Sequence, residues 1–139
     1  MANFLEHMVF RGTANRSQAA LEAEVANMGA HINASTGREQ TMFTVKCHSE
    51  DVASSIEILS DIVSNNTFGE AEVEREKGVI LREMQENEAD LKAVTLDHLH
   101  SVAFQGTPLG RTVVGPSKNV KSISLNDLAN YKGANFQGN

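Results

Sequence analysis

Asparagine, glutamate and histidine stand at positions 3, 6 and 7, a spacing that could support metal chemistry. On a helix, positions 3 and 7 lie one turn apart and point the same way, so two imidazoles there could share a metal ion. The pattern His-x-x-Glu-His is the inverted zinc-peptidase motif, in which the glutamate acts as general base on a metal-bound water. Here Asn3 stands where the first histidine of the motif would be. A five-residue match with one mismatch also occurs on solvated helix surfaces, so the motif alone does not establish a metal site. A metal site would need a further donor elsewhere in the chain.

The glutamates at positions 76 and 83 are the candidates for that donor. A catalytic zinc keeps three protein ligands and one open position for water, so His7 would need a partner on another element. Seven residues make two helical turns, which places Glu76 and Glu83 on one helix face. One carboxylate could bind metal while the other orients the ligands around it. A charged helix face with ordinary Glu/Lys and Glu/Arg pairs has the same spacing, and the spacing alone leaves both interpretations open.

The composition is that of one ordinary globular domain. The chain has 139 residues, of which 40% are hydrophobic and 22% charged. Its net charge of −6, without a run of Lys and Arg, argues against nucleic-acid binding and favours a basic substrate or partner. Cys47 is the only cysteine, which excludes an internal disulfide. No apolar run is long enough for a membrane span or a secretory signal, so we expect neither in this sequence.

The elements that must position these groups are helices around one hairpin. In chain order we predict helices over 4–10, 17–29 and 49–65, a hairpin that pairs 32–36 with 41–47, one long helix over 70–104 that is either straight or kinked, and a last short helix after a capping box at 124–127. The helix over 49–65 carries Val52, Ile56, Leu59 and Val63 on one apolar face.

These elements predict an α+β fold with helices packed on one face of an antiparallel sheet. An isolated hairpin is only marginally stable in water. The zinc-like motif also begins at residue 3, with little chain before it. We therefore expect residues 1–132 to be a partial domain that lacks N-terminal strands and a C-terminal part, followed by a divergent tail over 133–139.

Six blocks of sequence support a more specific interpretation. They are residues 4–8, 11–13, 28–34, 38–41, 78–86 and 109–112. Together they resemble the pitrilysin/insulinase family of inverted-motif zinc peptidases, and within it the β-type subunits that remove mitochondrial targeting presequences. The resemblance covers roughly residues 1–132. It implies a zinc metalloendopeptidase with one Zn²⁺ per site, a heterodimer with an α-type processing-peptidase subunit, basic presequence peptides as substrates, and a location in the mitochondrial matrix.

The same resemblance implies roles for individual residues. Glu6 matches the general base, His7 and Glu83 match zinc ligands, and Glu76 matches a supporting carboxylate.

The resemblance also implies a substrate-binding surface. Residues 32–36, with Asn33 and Ala34, match the sheet edge along which an extended presequence would lie. Relatives select a substrate arginine with acidic groups on the long helix. Asp97 keeps one of these positions and Ala93 stands at the other, so we expect weaker arginine selection.

Asn3 is the main departure from the family pattern. A carboxamide oxygen is a neutral and poor zinc donor compared with imidazole, so we expect tight zinc binding to be lost. Two interpretations stay open. The chain belongs either to a presequence-cleaving subunit whose own activity Asn3 puts in question, or to a non-catalytic assembly subunit similar to the first core protein of respiratory complex III, at the inner membrane.

Overall fold

The structure, a computed structural model, describes residues 1–137. Within this range it has seven α-helices and one two-stranded antiparallel sheet. The elements are α1 (Ala2–Met8), α2 (Gln18–Asn27), β1 (His31–Thr36), β2 (Thr41–Lys46), α3 (Val52–Ser64), α4 (Glu70–Asn87), α5 (Leu91–Ala103), α6 (Ser117–Ser122) and α7 (Leu125–Asn135), with short 3-10 turns at Ser49–Asp51 and Pro108–Gly110. This arrangement confirms the predicted α+β fold class. None of the helices within residues 1–137 is long and apolar enough to cross a membrane.

The hairpin of β1 and β2 has one face turned toward the helices. Its register pairs Ile32 with Val45 and Ala34 with Phe43, and all four side chains are half-buried. Asn33 lies between them in sequence and is exposed, because successive side chains of a strand point to opposite faces. Helices α1 and α2 contact β1, and α3 contacts β2. The helices therefore cover one face of the sheet, as predicted.

Helix α1, which carries the zinc-like motif, is anchored in the core. Phe4, Leu5 and Met8 are each at most 2% exposed. Phe4 and Met8 share a cluster with Val73 and Ile80 of α4, which also includes residues of α6 and α7. Each such burial contributes about 1.5–3 kcal/mol. The apolar residues of the motif therefore fix the helix, and its polar residues face α4 or solvent.

A second cluster joins α2, α3 and the hairpin. Its buried members are Leu21, Val25, Ala30, Ile58 and Ile62. The apolar face predicted for α3 is only half right. Val52 and Ile56 are 46% and 60% exposed, whereas Leu59 and Val63 pack at the edge of the cluster. Helix α3 carries two adjacent apolar stripes, and the sheet and α2 cover the one centred on Ile58 and Ile62.

The single long helix predicted over 70–104 is wrong. Helix α4 ends at Asn87 and α5 begins at Leu91. The Asp90 side chain caps α5 by accepting hydrogen bonds from the backbone N–H groups of Lys92 and Ala93, at 2.9 and 3.2 Å. Apolar residues continue at helical spacing across the break, which is why the sequence pattern did not reveal it.

The last helix begins at the predicted capping box. The Ser124 side chain accepts from the backbone N–H of Asp127, whose carboxylate accepts from the Ser124 N–H. Helix α7 continues to Asn135, so residues 133–135 of the predicted tail are helical. Gly138 and Asn139, the end of that tail, lie outside the described residues.

Candidate functional site

Helices α1 and α4 bring His7 together with both predicted carboxylates. The Nε2 atom of His7 lies 3.2 Å from a carboxylate oxygen of Glu83, and its Nδ1 atom lies 3.7 Å from a carboxylate oxygen of Glu76. This follows from the seven-residue spacing, which places Glu76 and Glu83 on the face of α4 that α1 crosses. The imidazole thus lies between the two carboxylates.

The two glutamates have different environments. Glu76 is 1% exposed, whereas the Glu83 side chain is 43% exposed. Arg11, just beyond the end of α1, has Nη2 2.5 Å from Oε1 of Glu76. Neither Glu76 oxygen makes a geometrically sound hydrogen bond within the described residues, so the contact with Arg11 is an ion pair. Glu76 is therefore a buried carboxylate neutralised by arginine, and Glu83 is the carboxylate open to a ligand.

Arg11 was not predicted as a member of this site. It lies four residues after His7, in the first turn of chain after α1. A basic residue one helical turn beyond the histidine could have suggested that it reaches the same neighbours, but only the packing of α1 on α4 identifies Glu76 as its partner.

Asn3 and Glu6 lie on α1 beside His7 and are half-exposed. Their side chains make no hydrogen bond or ion pair with any residue in the range 1–137.

The donor set does not fit a tightly bound zinc ion. Within the described part of the chain, no three or more His, Cys, Asp or Glu side chains are arranged as a metal site. His7 and Glu83 are suitable donors for zinc, but a catalytic zinc requires three protein ligands. Asn3, one turn before His7, offers only a neutral carboxamide at the third position.

A buried carboxylate anchors the loop that follows α1. Asp61 of α3 is 4% exposed and accepts hydrogen bonds from the Thr13 hydroxyl, the Asn15 and Asn65 amides and the Arg16 guanidinium, at 2.7–2.9 Å. Burial by itself raises the pKa of Asp61, but these four donors outweigh burial and hold the pKa well below its usual range. The loop that joins α1 to α2 is thereby fixed to α3.

The predicted substrate edge is the outer edge of β1. Within residues 1–137, β1 pairs only with β2, so no strand lies along its other edge. Asn33 is exposed on the outer face of this strand and Ala34 is half-buried on the inner face. An extended segment could add to this edge through main-chain hydrogen bonds.

Asp97 and Ala93 lie one turn apart on α5 and line a cleft of about 390 Å³. The opposite walls come from the end of α4, including Met84, from Glu88 just after it, and from the loop over residues 112–115. Arg38, in the turn between β1 and β2, donates from Nη2 to Asp97 at 2.5 Å. The carboxylate predicted to receive a substrate arginine is therefore already paired with an arginine of the same chain.

Residues 1–117 match the sequence model of the family "Insulinase (Peptidase family M16)". The chain belongs to this peptidase family. It is 56% identical over 137 residues to the human "Mitochondrial-processing peptidase subunit beta", an alignment that covers 99% of this chain and 28% of the human protein. Identity to the protein of the same name from Lentinula edodes is 54% over 135 residues, covering 97% of this chain and 29% of that protein. The chain thus spans less than a third of the length of these relatives.

Two solved structures have the same fold. A protease from Helicobacter pylori superposes with a TM-score of 0.85 at 22% identity, covering 98% of this chain and 33% of that one. A peptidase M16 inactive domain from Pseudomonas fluorescens superposes with a TM-score of 0.80 at 14% identity, covering 93% and 32% of the two chains. At these identities the likeness establishes the fold alone.

Proposed function

We propose that this chain is part of a β-type subunit of a mitochondrial processing peptidase. The intact protein would work in the mitochondrial matrix as a heterodimer with an α-type subunit and would remove targeting presequences. The observation that carries the proposal is the identity of 56% over 137 residues to a protein of that name. The placement of His7 between Glu76 and Glu83 supports it, because an inverted zinc-peptidase motif needs a histidine of one helix close to a carboxylate of another.

In this proposal the substrate is a basic peptide bound in extended form. The net charge of −6 favours a basic partner. The free edge of β1, near Asn33 and Ala34, would bind the peptide backbone, which tolerates many sequences. Asp97 would receive an arginine side chain of the peptide in the cleft between α4 and α5.

In a relative with histidine at position 3, the proposal makes Glu6 the general base and makes His7 and Glu83 zinc ligands. With Asn3 the donor set does not fit zinc, so this chain is expected to bind presequences without cleaving them. Glu6, half-exposed and unpaired within the described residues, is available for its role once a third donor is restored.

A second candidate function is that of a non-catalytic assembly subunit, like the first core protein of respiratory complex III. Asn3 favours it, together with the internal pairing of Arg11 with Glu76, which stabilises the helices without any metal. In that case the fold would be retained as a scaffold.

A cleavage assay separates the two candidates. The chain and its Asn3→His variant would each be combined with an α-type subunit, supplied with zinc and incubated with a presequence peptide. We expect peptide binding by both and cleavage only by Asn3→His, with Asn3→His/Glu6→Gln as the inactive control. If Asn3→His neither binds nor cleaves the peptide while it forms the heterodimer, the scaffold function is supported and the processing function is contradicted.

A further inference from the structure

The contact between Arg38 and Asp97 links the hairpin turn to α5. The two residues are 59 positions apart in sequence, and the Nη2 to Oδ1 distance is 2.5 Å. The Arg38 side chain is 18% exposed and that of Asp97 is 42% exposed. The guanidinium is mostly withdrawn from water, whereas the carboxylate remains partly accessible to a ligand.

Asp97 also faces the cleft between α4 and α5. Met84 and Val94 give this cleft apolar walls, and Glu88 and Asp97 supply carboxylates. Such a cleft suits a side chain with an aliphatic stem and a cationic head, which is the chemistry of arginine and lysine. Arg38 is not among the residues that line the cleft, so it reaches Asp97 from the hairpin side.

We infer that Arg38 is a specificity-determining residue that competes with a basic side chain of the substrate for Asp97. The inference rests on the proposed function, in which a substrate arginine binds Asp97. A second guanidinium entering the cleft meets a carboxylate already bonded to a cation, and it is repelled by the charge of Arg38. Because Asp97 is partly exposed, the internal pair is weak enough for a substrate to displace. Arg38 therefore lowers the affinity for arginine-containing peptides without abolishing it.

The test is peptide binding by fluorescence anisotropy at low salt. The probes are an extended peptide with one arginine and the same peptide with glutamine in its place. The proteins are the unaltered chain, Arg38→Gln, Asp97→Asn and the double variant. We expect Arg38→Gln to bind the arginine peptide about two- to five-fold more tightly, the range typical of exposed ion pairs, and the glutamine peptide unchanged. Asp97→Asn is expected to remove the arginine preference, and Arg38→Gln then to give no further gain.

Two further variants isolate the effect. Arg75→Gln makes the same charge change at an exposed position of α4 that forms no ion pair within residues 1–137, so its affinity should match that of the unaltered chain. Arg38→Lys keeps the positive charge, so it should retain most of the competition even if Arg38→Gln fails to fold.

The outcomes distinguish failure of the inference about Arg38 from failure of the role that the proposed function gives to Asp97. An unchanged or weaker affinity of Arg38→Gln, or an equal gain in Arg75→Gln, overturns the inference about Arg38. A gain in Arg38→Lys as large as that in Arg38→Gln also overturns it. If the unaltered chain binds both peptides equally and Asp97→Asn changes nothing, the role of Asp97 in the proposed function fails, and this inference fails with it. Loss of the arginine preference in Asp97→Asn without a gain in Arg38→Gln contradicts the inference alone.

Discussion

Replacing Asp61 with asparagine tests whether the loop behind α1 depends on a buried charge. Asp61 is 4% exposed and accepts four hydrogen bonds, one of them from Arg16. All four partners are donors, so the asparagine amide would bring an NH₂ group against them and retain a single acceptor oxygen. Arg16 would keep its ion pairs with Glu24 and Glu57, so the cost comes from the buried donors that lose an acceptor, at about 1–3 kcal/mol for each unsatisfied group. A domain of this size has roughly 5–15 kcal/mol of total stability, so the loss is a large part of it.

A matched control is available on the same arginine. The Glu57 carboxylate also contacts Arg16, at 3.0 Å, but its side chain is 73% exposed. Glu57→Gln makes the same carboxylate-to-amide change and should cost less than about 1 kcal/mol, because exposed ion pairs are weak.

The assay is urea unfolding of both variants and the unaltered chain, followed by circular dichroism at neutral pH. We expect Asp61→Asn to lower the free energy of unfolding by about 3 kcal/mol or more and Glu57→Gln to leave it nearly unchanged. Equal effects of the two substitutions would refute the reasoning, because burial would then not determine the strength of the network.

Three other predictions concern pH, the site and a helix cap. Hydrogen bonds keep the pKa of Asp61 low in the folded state, so its carboxylate contributes fully to the free energy of unfolding above the unfolded-state pKa of about 3.9 and loses this contribution as the pH falls below that pKa. The urea midpoint should therefore drop on acidification, and it should drop less in Asp61→Asn. Arg11→Met removes the arginine partner of the buried Glu76 carboxylate, leaves it only the more distant imidazole of His7, and should cost about 3 kcal/mol. In a double-mutant cycle, Glu76→Gln should recover part of this loss, and strict additivity of the two substitutions would contradict the ion pair. Ser124→Ala removes the cap of α7 and should cost about 1 kcal/mol in thermal unfolding, whereas Asn126→Ala, outside the capping box, should cost less.

Caps and turns could be predicted because their chemistry is local. Ser17 was predicted to begin α2, and its hydroxyl accepts from the Ala20 N–H at 3.3 Å. The hairpin followed from strand alternation on both sides of a short turn. The break before Leu91 was missed, although Asp90 is itself a favourable N-cap, because the apolar spacing continues through it. Local propensity and periodicity disagreed there, and the capping interaction determined the structure.

The sequence predicts which side chains share a helix face, but it does not predict which helix faces contact each other to form the site. The spacing of Glu76 and Glu83 gives a shared face, but the contact of that face with His7 depends on how α1 packs on α4. The partners of Arg11 and Arg38 could not be predicted, because both are set by tertiary packing between segments far apart in sequence. The position of Arg11, four residues after His7, hints at the site but does not identify Glu76 as its partner, and nothing in the local sequence around Arg38 distinguishes it from a solvated surface charge.

Zinc stoichiometry tests the central claim, that Asn3 deprives a peptidase-family site of its third donor. The unaltered chain, Asn3→His and Asn3→His/Glu83→Gln would be equilibrated with zinc by dialysis, and the bound metal would be measured by atomic absorption. We predict no stoichiometric zinc in the unaltered chain, one zinc per chain in Asn3→His, and its loss in the double variant. One tightly bound zinc in the unaltered chain that disappears on Glu83→Gln would contradict the account.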